Sequence, residues 1–444
     1  MKTMYRLLFL FIPLLQVSCV KDYIPENKPV DIEVAVSYED PEIGEKLSLT
    51  GTVFSIYDMN GKVVLSGELD GSGTIKIQQL APNRYNIQAT RLYDKNEYNR
   101  LLERNEDFDV NFSTTLMMVN VNPNQNTSFE LKLISGSYAP LVIKQLYYAG
   151  SHTRDGASFR DQFMEIYNNS EEVQYADGLY IGEAFGALNE NALYKYQQNS
   201  RQYDWTFSYE MPQDINANKD YIYTRTVLQL PGSGNDYPIA PGESIVVAAT
   251  ALNHQAPYTG SDGKQITVRD PSLTVDLSKA DFEVHYASYL DPGKGLASDI
   301  DNPDVPNVLV HRLQGNDWIM SVAGQQSWII FRADDMGKYS EWPKYGLPYV
   351  DGREVNRTTG YAQIPVSKIL DAVELQSATS TKYPKKFSAT NDSGEKFVES
   401  GQNSSNAIIR KTKEVKNGRR ILEDTNNSTK DFVSIKAAPK AFVN

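Results

Sequence analysis

From Val30 onward the chain alternates apolar and polar or small side chains with a period of two, with Ile32, Val34 and Val36 on one set of positions. That spacing places every second side chain on one face of an extended strand. Thr52 to Tyr57 predicts a second strand, Asn60-Gly61 a two-residue hairpin turn, and Lys62 to Leu69 the returning strand. Asp70-Gly71-Ser72-Gly73 then turns the chain into Thr74 to Gln78. Leu80-Ala81-Pro82-Asn83-Arg84-Tyr85 leads into a strand running through Ala89. Thr114 to Val121 and Ser128 to Leu133, where Phe129, Leu131 and Leu133 alternate, complete the series near Ser135. Between these two and the earlier strands, Asn96 to Asp109 is charged and reads as a short helix or an excursion loop.

A second series opens at Pro140. Leu141 to Tyr147 predicts a strand, followed by a polar loop, the segment Asp161 to Ser170, and Tyr175 to Ile181. Ile239-Ala240-Pro241-Gly242-Glu243-Ser244 is a turn feeding the apolar run Ile245 to Ala249, the pattern of a buried strand. Strand-like pieces recur at Asn307 to Arg312, Ser327 to Arg332 and Ile369 to Leu375. A closing module runs from Ala407 through Gly418-Arg419-Arg420 to Asp424-Thr425-Asn426-Asn427-Ser428-Thr429-Lys430-Asp431-Phe432. The expected fold is therefore all-β: two β-sandwich domains, residues 30–136 and 140–444, the second elaborated by long loops and insertions.

Two of these patterns resemble known families. Strand, Asn-Gly turn, strand, Asp-Gly turn, strand and Leu80-Ala81-Pro82-Asn83-Arg84-Tyr85 is similar to the transthyretin-like sandwich called the carboxypeptidase regulatory-like domain. That family usually has Gly where this chain has Asn83, and Asn is the residue next best able to adopt the left-handed conformation. Phe163-Met164-Glu165-Ile166-Tyr167-Asn168, followed by Asp177-Gly178-Leu179 and the Pro241-Gly242 turn, resembles the lamin-tail domain, an immunoglobulin-like sandwich. Taken whole, the chain resembles an uncharacterised family of Gram-negative surface lipoproteins, a likeness that carries no assigned activity.

The N-terminus has its own pattern. Lys2 and Arg6 precede an apolar run from Leu7 to Leu15, and Val17-Ser18 stands immediately before Cys19, the only cysteine. This is the arrangement of a cleaved secretory signal over residues 1–18, and the apolar run is shorter than the ~20 residues a membrane span needs. A cysteine at the cleavage point predicts a lipoprotein, in which the Cys19 thiol takes up diacylglycerol and becomes the mature N-terminus. Gln16 stands where such signals usually carry Leu, and the alternative is an ordinary signal peptide with an incidental cysteine. Residues 19–29 lack periodicity and read as a lipidated tether. The expected location is the outer membrane, surface-exposed, with the lipid anchor as the membrane contact.

Composition narrows the function. Of 44 basic residues Lys2 and Arg6 leave with the signal, so 42 face 56 acidic ones and the mature chain carries a net charge of −14. Phosphate neutralisation needs a basic surface, so nucleic acid is not an expected partner. The densest basic run, Arg410 to Arg420, reads as a solvated hairpin. With Cys19 acylated, no thiol nucleophile remains. No Gly-x-Ser-x-Gly elbow is present, and Leu230-Pro231-Gly232-Ser233-Gly234 lacks the Lys of a phosphate loop and reads as a turn. His152, His254, His285 and His311 include no pair at metal-ligand spacing. Asp299, Asp301 and Asp304, with Asn302 and Pro303, offer hard oxygens suited to structural calcium, and no other cofactor is expected; the alternative is a hydrated acidic turn. Tyr196, Tyr203 and Trp205, with Tyr194, Phe207 and Tyr209 among amides, suggest flat faces for stacking a sugar or another planar ligand. The alternative is an edge hairpin whose rings cover the core, since Trp205, Phe207 and Tyr209 alternate as one strand face would.

These readings converge on a non-catalytic outer-membrane or cell-surface lipoprotein that captures a ligand, such as a glycan, or supports a TonB-dependent transporter. Two alternatives stay open: a surface hydrolase whose site assembles only on folding, and an adhesin or structural component of a surface complex. Mass spectrometry of the mature N-terminus should find an acylated Cys19. An unmodified residue there, or a start at another position, would refute lipidation.

Overall fold

The computed structural model describes residues 28–58, 62–104, 110–123, 127–136, 140–198, 200–354, 360–379, 382–388 and 391–443, without the side chains of 117, 118 and 134–136. The signal segment, Cys19, nearly all of the tether and the Asn60-Gly61 turn lie outside the described residues.

Seven strands build the N-terminal module: β1 (Val30–Tyr38), β2 (Val53–Tyr57), β3 (Val63–Glu68), β4 (Thr74–Leu80), β5 (Asn83–Tyr93), β6 (Val110–Val121) and β7 (Ser128–Gly136). They join in the order β3-β2-β5-β6-β7-β1-β4, with β1 parallel to β7 and antiparallel to β4. The alternation in β1 is the reason it sits where it does. Val30, Ile32, Val34, Val36 and Tyr38 point into the core, and the residues between them face solvent. Their core partners include Ile56 from β2, Ile87 from β5 and Leu131 from β7. The charged stretch after β5 forms a helix, Lys95–Leu102, whose start is capped by Asp94 accepting from the Asn96 and Glu97 amides. At the corner before β5 the left-handed residue is Gln79 (φ 56°), not Asn83. The Gln79 amide donates to Asp31 Oδ1 at 2.8 Å, which holds that conformation in place of a glycine.

The larger module packs two sheets face to face. One contains Phe282–Glu283, Ser244–Ala248, β9 (Phe163–Asn168), β8 (Leu141–Tyr147), Asn406–Arg410 and Phe432–Lys436, in that spatial order. The other runs Lys344–Tyr345, Tyr361–Pro365, Tyr221–Gln229, Tyr180–Ala184, Ser327–Phe331 and Ile369–Val373, with Leu309–Arg312 beside Tyr221–Gln229. Leu146, Ile166, Val247 and Ile408 of the first sheet meet Ile181, Leu228, Ile330 and Val373 of the second in one core. The outer faces are covered too. Phe163, Val246 and Leu277 form an apolar layer on one side, and Ile329, Phe331, Trp342 and Phe387 form one on the other. This double coverage explains why β8 and β9 are buried at every position rather than at alternate ones.

Burial on both faces forces charged side chains in these strands to find partners inside the protein. Glu165 of β9 accepts from Lys144 Nζ at 2.8 Å, Gln145 Nε2 at 3.2 Å and Ser244 Oγ at 2.5 Å. Lys144 also lies 3.5 Å from the ring centre of Phe442, so the C-terminal tail closes over this pair. Arg410 departs from the sequence expectation. It is fully buried, while the hairpin that follows it, Thr412–Lys416 with Arg419–Leu422, is largely exposed along its first strand. Arg410 Nη2 reaches Asp371 at 2.6 Å, and Nη1 reaches Asp424 and Asp431, each at 3.2 Å. Its Nε donates to the Ile143 carbonyl at 3.0 Å, and its guanidinium lies 4.6 Å from the centre of the Phe432 ring. Asp371 also accepts the Ile143 amide at 2.6 Å. One guanidinium therefore ties β8, both facing sheets and the closing segment together.

Three buried carboxylates around one cation leave excess negative charge. Burial pushes the Asp371 carboxyl up to about 7 against the pull of Arg410, and Asp431 is likewise pushed up to about 7. A carboxyl whose pKa rises on folding stabilises the fold fully below its unfolded value near ~4, and that stabilisation is lost as pH rises through about 7. Urea unfolding should accordingly show the contribution of this cluster declining between pH ~4 and ~7. Arg410→Met should cost about 3–5 kcal/mol at neutral pH, because it strands buried carboxylates, and should move the decline to higher pH.

Candidate functional site

The segment Asp424–Asp431 folds back on itself around its own carboxylates. Asn427 caps the short helix Ser428–Asp431, its side chain accepting from the Lys430 amide at 3.1 Å. Asp431 accepts from the Thr425 amide at 3.0 Å and the Thr425 hydroxyl at 2.7 Å while holding Arg410. Beneath it, Asp392 accepts from the amides of Glu374, Gly394 and Ser428 at 2.7, 2.8 and 2.9 Å, and from the Ser428 hydroxyl. Burial raises the Asp392 carboxyl above its ordinary value. The approach of the two segments is so close that a Cβ on Gly394 would lie 2.3 Å from Asn427 Oδ1 and 2.6 Å from the Thr429 nitrogen. Only glycine fits there.

This assembly carries the junction with the N-terminal module. Gln88 Nε2 of β5 donates to Ser393 Oγ at 2.9 Å, and Ser393 Oγ donates to the Asn426 carbonyl at 3.0 Å and accepts from Asn427 Nδ2 at 3.2 Å. Asn111 Nδ2 of β6 donates to the Thr425 carbonyl at 3.0 Å. An exposed Lys219–Glu39 ion pair at 2.7 Å adds a peripheral contact.

Beside these hydrogen bonds the two modules enclose a cleft of about 250 Å³. One wall is Tyr57, Asp58, Asn86, Gln88 and Thr115 from β2, β5, β6 and the turn after β2. The other is made by Ser200, Gln202, Lys382 to Lys385, Phe387 and Ser388, with Ser393 to Glu395, Asn427 and Thr429. Its loops are anchored from behind. Gln202 Nε2 donates to the Lys385 carbonyl at 2.6 Å, and Gln376 exchanges bonds of 2.9 and 3.0 Å with the Tyr383 amide and carbonyl. Phe387 forms part of the floor and is 2% exposed.

Of the aromatic residues named from the sequence, Tyr203 and Trp205 come together in a core cluster with Tyr194 and Tyr196 packed against it, whereas Phe207 and Tyr209 stand outside it. Tyr203 stacks between Tyr196 and Phe185, with ring centres 5.4 and 6.1 Å apart, and Trp205 stacks on Tyr223 at 3.8 Å. Tyr203 and Trp205 are 8% and 5% exposed, so their faces are already covered. The expected strand alternation is absent: Trp205–Phe207 is a 3-10 turn capped by Asp204, and Phe207 points outward. A crevice of about 20 Å³ is lined by Tyr203, Trp205 and Tyr223, and Gln202 and Lys385 border both it and the main cleft.

Nor does the acidic loop gather into a chelating set. Asp299 is turned inward to accept the Ala287 amide at 2.7 Å, and Asp301 accepts from Asn307 Nδ2 at 2.6 Å. Asp304 uses its own amide to bond Asn302 at 3.1 Å, the geometry of a polar turn. Among the described residues no three His, Cys, Asp or Glu side chains are grouped to hold a metal. The Leu230 to Gly234 turn wraps a carboxylate: Asp177 accepts the amides of Gly234, Asp236 and Tyr237 at 3.0, 2.8 and 2.8 Å. Burial works against that charge, but the three donors outweigh it and keep the carboxyl below its ordinary range.

Residues 240–439 match the model of a protein family of unknown function, DUF4876. The chain is similar over its length to the crystal structure of a DUF4876 family protein from Bacteroides thetaiotaomicron. Identity is 20%, the match covers 94% of this chain and 98% of that one, and the TM-score is 0.50. At that identity the likeness concerns the fold alone. A candidate adhesin from Bacteroides ovatus aligns with 56% of this chain and 85% of its own at 12% identity, but with a TM-score of 0.19, from which no likeness of fold follows. No curated protein matches the chain significantly.

The cleft residues Gln88, Ser393 and Asn427 carry no motif of their own; the signal that could have found them is the dense polar segment Asp424 to Asp431. Gly394→Ala should push the 391–395 and 424–431 segments apart. Hydrogen exchange should quicken at both, with the amides of β8 and β9 unchanged, and calorimetry should show the two modules unfolding less cooperatively.

Proposed function

We propose that the protein is a non-catalytic surface lipoprotein that captures a ligand in the cleft between its two modules. The observation that carries this reading is that the cleft is walled by side chains from both modules, next to the Gln88–Ser393–Asn427 contacts that join them. Concave sites where domains meet are the usual places for small-ligand binding. In this reading Cys19 carries the lipid, residues 19–29 lift the folded part from the outer membrane, and the captured ligand is passed to a TonB-dependent transporter. Asp371, Asp392 and Asp431 are each engaged by cations, amides or hydroxyls of the fold itself, which supports a structural rather than a hydrolytic role for these three.

Affinity capture of the full-length lipidated protein from detergent-solubilised outer membranes should recover a TonB-dependent transporter. Recovery of a large assembly without a transporter would favour an adhesin or structural component. Turnover of a glycan by the purified protein would replace the capture reading with a hydrolase.

A further inference from the structure

We infer that the cleft takes a neutral saccharide, one sugar ring deep, a conclusion that rests on the capture reading above and names its ligand class. Charge is the first argument. Four charged side chains line the cleft, and each is engaged within the protein. Lys382 donates to the Ser377 carbonyl at 3.0 Å and lies 3.7 Å from Glu395. Lys385 Nζ donates to the Asp392 carbonyl at 2.6 Å and to the Gly394 carbonyl. Glu395 also faces Gln376 Nε2 at 3.4 Å, and Asp58 accepts the Lys62 amide at 3.0 Å. Lys382 and Lys385 are matched in number by Asp58 and Glu395, so the lining offers a phosphate, sulfate or uronate no net positive charge.

The remaining lining is the second argument. Half-buried Tyr57 and Tyr383, Pro384, the floor of Phe387 and the methylene stems of the two lysines offer carbon surface. Around it stand the amides of Asn86, Gln88, Gln202 and Asn427 and the hydroxyls of Thr115, Ser200, Ser388 and Thr429; several already bond within the protein, as Gln88 to Ser393, Gln202 to the Lys385 carbonyl and Thr429 to the Glu395 carbonyl, and each of these keeps a further N–H or lone pair. A sugar ring presents the complementary surface, with apolar C–H faces and a rim of hydroxyls that both donate and accept. Amides and hydroxyls match that dual character, whereas a guanidinium or carboxylate would not. Size is the third. A cleft of about 250 Å³ falls below the ~300–1,000 Å³ of pockets that enclose drug-sized molecules. It is open to solvent, so it would seat the terminal unit of a longer chain and leave the rest outside.

Isothermal titration calorimetry of the mature full-length chain in detergent tests this, with neutral hexose and pentose oligosaccharides, oligogalacturonate, sulfated disaccharides and apolar hexapeptides as probes. Ser200→Trp fills the cleft from its rim, and Val415→Trp, on the exposed hairpin outside the cleft lining, serves as the control. The expected result is binding of a neutral saccharide that does not change with ionic strength, weakens at least tenfold in Ser200→Trp and is retained in Val415→Trp. Preference for an acidic saccharide or a peptide, lost in Ser200→Trp, would overturn the ligand class and leave capture by the cleft standing. Neutral saccharide binding undiminished in Ser200→Trp would place the site elsewhere and overturn both. Absence of binding across the neutral panel would overturn the inference.

Discussion

The structure depends on one buried cation. Arg410 sits at the end of a strand in one sheet of the larger module, yet it binds Asp371 of the facing sheet, the Ile143 carbonyl of β8, and Asp424 and Asp431 of the closing segment. Removing a guanidinium from water is costly, and only dense hydrogen bonding offsets it. Arg410 therefore links strands and a segment that lie far apart in the sequence. A hydrophobic residue at its place could fill the volume, but it could not tell Asp431 and Thr425 where to lie.

From that cation the organisation passes outward to the cleft. Asp431, held by Arg410, gathers Thr425 and Asn427. Asn427 donates to Ser393, which accepts Gln88 of the N-terminal module, and Gly394 lets the two supporting segments approach to a distance no side chain would permit. The same residues then form one wall of the cleft. Core packing and the candidate site are therefore parts of a single polar network, and a disturbance at Arg410 would reach the cleft wall through Asp431.

Much of the architecture was legible because strand periodicity is a local property. The alternation in β1, the Asp70 to Gly73 turn, the segments around β8 and β9 and the Pro241-Gly242 turn each became what their patterns imply. Local reading failed where distant residues intervened. Asn83 looked like the left-handed corner, but the Asp31 carboxylate places that conformation at Gln79. Trp205, Phe207 and Tyr209 alternate like a strand, but Asp204 starts a 3-10 turn, and Tyr223 and Tyr203 take up the rings that seemed available for ligand. Arg410 looked like the start of a solvated basic run because nothing nearby in sequence announces Asp371.

The sequence by itself determined that the chain is all-β and where most of its strands and turns fall. It also confined thiol chemistry to Cys19. These follow from side-chain alternation, turn residues and composition, which act over a few positions. Only the tertiary structure decided which aromatics are core and which line a cleft, which carboxylates share a cation, and where the two modules touch. Those outcomes depend on contacts between residues up to about three hundred positions apart, as with Gln88 and Ser393, and no local pattern encodes the partner of a buried polar group.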